Sequence, residues 1–420
     1  MKILVVGGGG REHTIVWKIA QSDKVSKIYC APGNGGISQL AECVDIPATD
    51  IDSMVRFAKE KEIDLVMVAP DDPLVMGMVD AMEAAGIRAF GPRKNAAIIE
   101  GSKVFSKDLM KKYNIPTAGY EVFTDSSSAI AYLKEQNSYP AVIKAEGLAL
   151  GKGVIIAQNE AEAIDGIHEI MDDKKFGDSG NRVVIEEFLT GPEVSVLAFT
   201  DGKCVKPMVS AQDHKRAYDN DKGPNTGGMG TFSPSRLYDD AKAKECMENI
   251  FIPTMNAMNN EGRTFCGVLY FGLMMTDKGV KVIEYNCRFG DPETQVVIPR
   301  LKTDLVDIMN AVIDGTLSDL EIEWDNNAGV CVVMASGGYP VSYEKGHLIS
   351  GIEYAESMDI VTVFHAVTKL SDDGFTIAGG RVFGVTATDT NHDEAIKRAY
   401  KAVEKITWKD EFHRSDIGVK

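Results

Sequence analysis

VIEYNCRFGDPETQ, residues 282–295, begins as a strand and ends in a sharp turn, and its polar residues fall on one side. Side chains alternate faces along a strand, so Glu284, Asn286 and Arg288 point one way while Ile283, Tyr285 and Cys287 point the other. Alternation alone is also the ordinary pattern of a half-wetted strand. The residues after Arg288 separate this strand from that class. Phe289-Gly290-Asp291-Pro292-Glu293 turns the chain, with Gly290 free to take positive φ and Pro292 fixing φ at about −65°. The turn delivers two more carboxylates beside the first. A carboxylate and an amide oxygen next to a guanidinium offer acceptors for a hard cation and a cation for an anion. Oxygen ligands of this kind suit Mg²⁺, whose remaining positions are filled by waters and substrate phosphates. The stretch therefore predicts a metal-nucleotide site at a strand edge.

Upstream, the first hundred residues alternate short apolar strands with amphipathic helices. KILVVG, KIYCAP, DLVMVAP and AFGP read as strands; helices are expected from about Glu12, from Ile51 to Glu60 and from Leu74 to Ala85. Strands separated by single helices imply right-handed crossovers and a parallel sheet, an α/β class whose ligands sit at the carboxyl ends of the strands. Those ends are Gly7 to Glu12, Ala31 to Gly36 and Ala69 to Asp72. GGGGREH is not a dinucleotide fingerprint: Gly7-x-Gly9 is followed by Glu12 and Gly8-x-Gly10 by His13 where a third glycine is required. What remains is a glycine-rich turn opening a helix, whose free N–H groups suit a phosphate or carboxylate, with Arg11 adding a forked donor.

The middle of the chain is less regular. KVFSKDLMKKYN reads as a helix, and YPAVIKA and GVIIA as strands flanking the loop Glu146 to Gly153. Its glycines Gly147, Gly151 and Gly153 let backbone N–H groups approach phosphate oxygens, and Lys152 carries a cation. It is not a Walker A loop, because Gly153 and Val154 lead into a strand rather than a helix. Lys144 ends an apolar run, where a charge is costly without an anionic partner. RVVIEEFLTGPEVSVLAFTDG reads as two strands joined hairpin-fashion at Thr190-Gly191-Pro192, placing Glu186, Glu187 and Glu193 near one connection. Residues 210–230 form a polar, glycine-rich loop longer than compact domains usually tolerate without function, in which Asp213, His214, Lys215 and Arg216 offer both signs of charge.

Three strands, AGVCVVMAS, VTVFHAVTKL and RVFGVTAT, and a closing helix make a C-terminal piece after an acidic connector at Ser318 to Asn327. It carries no motif with chemistry of its own and is expected to close over the nucleotide side. With 420 residues the chain is long enough for two to four domains at roughly 100–200 residues each. A net charge of −17 argues against a nucleic-acid partner, no apolar run reaches the roughly 18 residues of a membrane span, and seven scattered cysteines without a CxxC pair fit reduced thiols in a cytoplasmic setting.

In order, GGGGREH (7–13), PGNGG (32–36), DDPL (71–74), FGP (90–92), EGSKVFSK (100–107), VIKAEGLALGKGV (142–154), VIEEFL (184–189), QDHKR (212–216), GPNTGGMG (223–230) and EYNCRFGDPETQ (284–295) resemble the glycinamide ribonucleotide synthetase family nearly end to end. QDHKR, GPNTGGMG and NCRFGDPETQ are specific to that family rather than to ATP-grasp enzymes at large. The resemblance implies a Rossmann-like parallel-sheet domain at 1–102, an ATP-grasp domain at 103–320 with a mobile subdomain at about 118–192, and an α+β domain at 328–420. It implies an enzyme that joins glycine to 5-phosphoribosylamine with ATP through a glycyl phosphate, in purine biosynthesis; separately, nothing in the sequence reads as a coiled coil or a large exposed apolar stripe, and a monomer is expected. By the same resemblance Glu284 and Asn286 hold Mg²⁺ or Mn²⁺, and Lys103, Lys144 and the loop through Lys152 contact ATP phosphates. Glu186, Glu187, Phe188 and Leu189 hold adenine and Glu193 the ribose. Arg288 with Asp213, His214 and Lys215 places glycine and the acyl phosphate. Gly9, Gly10, Arg11, Glu12, Asn34, Gly35, Gly36 and Asp71, with Gly290, Asp291 and Pro292, receive the remaining substrate groups. The chain departs from the family pattern in having Asp71 for a Glu, Glu146 for an Asp and Leu150 for an Ala, and YFGLMM supplies no metal carboxylate from the preceding strand. A relative activating formate or bicarbonate would keep the Mg-ATP site but lack the QDHKR and GPNTGGMG loops.

Overall fold

The computed structural model describes residues 1–148 and 153–419, so the candidate residues Gly151 and Lys152 lie outside the described part. Strands β1 (Lys2–Gly7), β2 (Lys27–Pro32), β3 (Glu42–Cys43), β4 (Leu65–Val68) and β5 (Arg88–Phe90) form one sheet in the order β3-β2-β1-β4-β5, all parallel. A parallel sheet is covered on both faces, which is why Ile3 to Val6 and Leu65 to Val68 are unbroken apolar runs and all buried. Helix α1 (Gly10–Ile19) starts on half of a capping box, the Glu12 carboxylate accepting from Gly9 N–H at 2.6 Å, and α2 (Ile51–Glu60) is capped by Asp50. The single helix expected from Leu74 to Ala85 is two, α3 (Asp71–Met76) and α4 (Met78–Ala84). Gly77 adopts φ of 103° between them, a conformation glycine tolerates and a helix interior does not.

Helices α5 (Lys94–Gly101) and α6 (Lys103–Lys112) lead into a small lobe. Its strands β6 (Tyr120–Phe123), β7 (Ala141–Ala145), β8 (Val154–Ala157) and β9 (Val183–Glu187) pair antiparallel in the order β6-β9-β7-β8. Helices α7 (Ser126–Gln136) and α8 (Glu160–Ile167) bury Leu133 and Ile167 against Ile143 and Ile185, a core separate from the rest of the chain.

The chain continues through β10 (Glu193–Thr200), β11 (Val205–Pro207), β12 (Gln212–Asp213), β13 (Arg216–Tyr218), β14 (Lys222–Asn225), β15 (Gly230–Ser233), β16 (Gly267–Thr276) and β17 (Gly279–Asn286). The expected hairpin at Thr190-Gly191-Pro192 does not form. β9 pairs with β6 and β7, whereas β10 pairs with β11 and β16 in a second sheet ordered β11-β10-β16-β17. Gly191 is pressed so closely on the Met275 carbonyl that a Cβ there would lie 2.1 Å from it, and this contact carries the chain between sheets instead of back along β9. Leu4, Val66 and Ile99 share a core with Val196, Phe271 and Tyr285, which fixes the second sheet on the first domain.

Residues 210–230, expected as an irregular loop, are organised. β13 and β14 pair as a ribbon, and β12 and β15 join the C-terminal strands β18 (Ala328–Ser336), β19 (Val361–His365) and β20 (Arg381–Asp389) in the order β12-β15-β18-β20-β19. The C-terminal region does not close over the nucleotide side as expected. It docks on the loops after β1 and β2: Asn34 Nδ2 donates to the His365 carbonyl at 2.9 Å, Gly35 N–H to the Thr368 carbonyl at 3.0 Å, and His365 N–H to His13 Nδ1 at 2.8 Å. The physical reason is the shared sheet, since β12 and β15 tether this region to the 210–233 segment. All seven cysteines are free. Among the described residues, no helix is long and apolar enough to cross a membrane.

Candidate active site

β17 carries a bulge opposite Gly272 and Leu273 that leaves Ile283 out of the pairing. Beyond it Tyr285 is buried between Glu284 and Asn286, which share the other face. Arg288 lies past the strand end and bends back, with Nη2 3.4 Å from Asn286 Oδ1 and 3.0 Å from Glu100 Oε1. Burial opposes the ionisation of Glu284, but Lys215, Lys144, Lys103 and Arg288 outweigh it and hold its carboxyl below the usual carboxylate range. Burial likewise opposes the charge of Arg288, and Glu100 and Asp71 more than restore it, raising its pKa. Arg288 Nε is buried with no hydrogen-bond partner. An unpartnered guanidinium N–H beside an ionised carboxylate is a ready donor for an incoming anion.

Lys103, at the start of α6, sends its ammonium to the Gly147 carbonyl at 3.0 Å, which ties the chain just after β7 to the helix. Its pKa is lowered, by burial first, with Glu284 working the other way and Lys144 adding to the lowering. Glu146 secures the same stretch by accepting from Ser102 Oγ at 2.9 Å and pairing with Arg182, so the acid at this departure from the family pattern is structurally engaged. Lys144 Nζ lies 2.9 Å from Glu186 Oε1, an ion pair without hydrogen-bond alignment, since that oxygen is buried with no hydrogen-bond partner. Lys107, not among the residues expected at the site, holds the other oxygen of Glu186 at 2.8 Å. Burial raises the cost of the Glu186 charge, yet Lys144 and Lys107 keep its pKa below the usual value. Burial pulls Lys107 down to about 8. Glu187 and Gly119 bond across the neighbouring edge, where Gly119 N–H donates to the Glu187 carboxylate at 3.1 Å.

β12 brings Asp213 beside β10 and within electrostatic reach of Glu284 on β17. Burial pushes Asp213 up to about 7; Lys215 opposes this, while Glu293, Glu193 and Glu284 add to it. Lys215 pairs with Glu193 and stays charged: burial works against it, and Glu193, Asp213 and Glu284 prevail. Glu293, expected only as a carboxylate delivered by the turn, accepts from Ser195 Oγ at 3.1 Å and Tyr270 Oη at 3.0 Å. His214 is not brought into this group. Its ring lies 6.0 Å from that of Phe232, among C-terminal residues, and burial lowers its pKa to about 4.

At the N-terminal turn, Arg11 donates from Nε to Glu12 at 2.7 Å and from Nη1 to the Phe289 carbonyl at 2.9 Å, joining the first domain to the Gly290-Asp291-Pro292 turn. A Cβ on Gly9 would stand 3.9 Å from Asp291 Oδ2, so the two turns face one another. Burial opposes the Asp291 charge, but Arg381 at 3.1 Å, Arg11, Gln295 and Arg288 keep its pKa low. Asp71 lies within electrostatic reach of Arg288 and Glu100. Asn34, Gly35 and Gly36 are otherwise occupied: Asn34 Nδ2 bonds Gly8 and His365, Gly35 N–H bonds Thr368, and a Cβ on Gly36 would meet the His365 ring at 2.4 Å.

Glu284 and Asn286 are the two oxygen donors on one face of the site. Among the described residues no group of three or more His, Cys, Asp or Glu side chains is arranged to hold a metal ion. Two hard donors, one of them half-buried and ionised, fit a cation that takes its other ligands from phosphates and water. A two-lobed antiparallel core straddled by lysines and following a parallel-sheet domain defines an ATP-grasp protein. Models of the phosphoribosylglycinamide synthetase N domain, ATP-grasp (A) domain and C domain match residues 1–100, 101–294 and 329–420. The phosphoribosylamine–glycine ligase of Halalkalibacterium halodurans is 52% identical over 420 residues, covering 100% of this chain and 97% of that protein. The chain belongs to the phosphoribosylglycinamide synthetase family. The crystal structure of the Thermotoga maritima phosphoribosylamine–glycine ligase superposes with a TM-score of 0.87 at 31% identity, covering 99% of this chain and all of that one. A Campylobacter jejuni biotin carboxylase–β-γ-ATP complex shares the fold at 13% identity and a TM-score of 0.76, covering 98% of this chain and 92% of that one.

Proposed function

We propose that the chain condenses glycine with 5-phosphoribosylamine, converting ATP to ADP and phosphate, as a step of purine biosynthesis. The observation that carries the assignment is Glu284, half-buried and kept ionised by four cations, Lys103, Lys144, Lys215 and Arg288, that arrive from separate segments. Such a charge-dense centre needs anions to balance it, and phosphoryl transfer needs positioning and charge neutralisation more than a protein nucleophile. Lys103, Lys144 and Lys152 receive the triphosphate, and the 186–189 edge receives adenine with Glu193 at the ribose. Mg²⁺ or Mn²⁺ on Glu284 and Asn286 supplies further neutralisation when bound.

Arg288, through its free Nε, orients the glycine carboxylate. A carboxylate oxygen attacks the γ-phosphorus, the bond to ADP breaks, and glycyl phosphate forms. The phosphoribosylamine nitrogen then attacks the acyl carbon, phosphate leaves, and an amide is made. Asp213, whose burial brings its pKa near neutrality, accepts the proton released by the attacking amine. Gly9 to Glu12, Asp71 and the Gly290-Asp291-Pro292 turn face the phosphoribosylamine, with Asn34 to Gly36 forming a backbone wall behind them. The protein works as a cytoplasmic monomer on these small molecules. ADP release tests the assignment: it should require glycine and phosphoribosylamine together, and turnover on formate or bicarbonate without glycine would overturn it.

A further inference from the structure

Arg381 stands at the start of β20, in the C-terminal region that the proposed reaction leaves without a task. Its guanidinium holds two loops that come from elsewhere in the chain. Nη1 donates to the carbonyls of Gly227 at 2.7 Å, Gly228 at 3.4 Å and Asp291 at 3.1 Å, and Nη2 donates to Asp291 Oδ2 at 3.1 Å. Gly227 is gripped from its other side as well, since its N–H donates at 3.2 Å to Oη of Tyr339, a residue of the same region. A rigid fork of donors suits this bridging, and a lysine could not span it. The two loops are pressed together where they meet: Gly228 has φ of 111°, and a Cβ on it would stand 2.5 Å from Pro292 Cδ.

Each loop leads to a different part of the site. Thr226 donates from both N–H and Oγ1 to the Lys215 carbonyl at 2.8 Å, so the 226–228 loop carries the backbone of Lys215, whose ammonium pairs with Glu193. Asp291 lies in the turn after Arg288, and its Oδ2 faces Gly9 of the first domain. Lys103 and Lys144 are anchored elsewhere, on the Gly147 carbonyl and on Glu186. We propose that Arg381 is a positioning residue that clamps the half of the site handling glycine to the half handling phosphoribosylamine, so that the amine reaches the glycyl phosphate before water does. The proposal rests on the ligase reading above. A clamp in this place governs the second step and not the first. Without it glycyl phosphate still forms, but water in place of the amine attacks the acyl carbon, the bond to phosphate breaks, and glycine and phosphate are released. The net result is ATP hydrolysis that depends on glycine.

The test measures ADP release and incorporation of radiolabelled glycine into the amide side by side, with the full-length enzyme. Wild type should give one ADP per amide. In Arg381→Met amide formation should fall on the order of 100-fold, the effect of misplacing reacting groups by about 1 Å, while ADP release falls about tenfold. About ten ADP would then appear per amide, the excess should require glycine, and KM for ATP should stay within about threefold of wild type. ADP and amide falling together at a ratio of one, alongside a lowered unfolding midpoint, would overturn the proposal and leave Arg381 a structural tie. Excess ADP that appears without glycine would overturn it too. Tyr339→Phe removes only the hydroxyl that accepts from Gly227 N–H and serves if Arg381→Met does not fold; amide formation should fall about threefold with about two ADP per amide, and a ratio of one counts against the clamp. If wild type releases ADP but makes no amide, the ligase reading itself fails; if wild type is coupled and Arg381→Met is equally so, only the role of Arg381 fails.

Discussion

Around Glu284 the chain buries charge and keeps it charged; along the seam between His13 and His365 it buries polar groups and keeps them neutral. In the first region four cations hold one carboxylate ionised, and Arg288 Nε is left without a partner. In the second, burial lowers the pKa of His13 to about 4 and that of His365 to about 3, and the surrounding donors are taken up: His365 N–H by His13, Asn34 Nδ2 by Gly8 and His365, Gly35 N–H by Thr368. A polar region that satisfies itself is a joint, and one that keeps charge and spare donors is a site.

The two regions should differ most at Glu284. Glu284→Gln preserves shape but removes the charge that balances the cations, so turnover should fall on the order of 10²-fold while the unfolding midpoint stays close to wild type. Near-normal rates at limiting Mg²⁺ would place the metal charge elsewhere. Lys103→Met should raise KM for ATP about tenfold, since a charge-assisted contact contributes roughly 1.5–3 kcal/mol. A change in kcat alone would show that Lys103 acts on the transferring phosphoryl group and not on binding. On the seam the pattern should invert. Asn34→Ala removes an amide that donates to the carbonyls of Gly8, His365 and Ala366 and accepts from Ile37 N–H at 2.9 Å, so it should cost about 2 kcal/mol in urea unfolding. Turnover of the folded fraction should stay within about threefold. A KM for phosphoribosylamine raised tenfold at unchanged stability would move Asn34 out of the joint and into the site.

The features legible in the sequence are those governed by short-range geometry. Alternation placed Glu284 and Asn286 on one face, and the strand-helix rhythm of the first hundred residues gave the parallel sheet. Gly77 was visible as a glycine, but whether it would bend the helix depended on the packing of Asp71 to Ala84 and not on its neighbours in sequence. The Thr190-Gly191-Pro192 turn carried every local sign of a hairpin, and the contact of Gly191 with Met275 decided otherwise. Lys107 and Arg381 went unnoticed, and the partners of Glu293 went unforeseen, because those contacts come from distant segments. Arg381 finds Asp291 across 90 residues, and no periodicity records such a pairing. One local signal was available: Lys103 and Lys107 stand four apart on one helix, which puts both ammonium groups on the same face.

The smallest expected effect is the pH response of the seam, and its sign is set by the two histidines. Each has a folded pKa below its ordinary value of 6.5, so between pH 6.5 and about 4 the unfolded chain binds protons that the folded chain refuses. Stability is therefore full above pH 6.5 and falls as the solution is acidified through that window, by at most about 1.4 kcal/mol per pH unit for each histidine. Asp213 works in the opposite direction. Its pKa is raised from 3.8 to about 7, so its protonation favours the folded chain as pH drops from 7, and the wild-type curve is a sum that partly cancels. His13→Asn removes one titration while keeping a side-chain acceptor for the His365 N–H, and it leaves Asp213 untouched. Urea unfolding at pH 7 and pH 5 should show the variant losing less stability than wild type by about 1–2 kcal/mol. Equal losses in the two proteins would mean that His13 takes up a proton without opening the seam, and the neutral joint would no longer stand opposite the charged site.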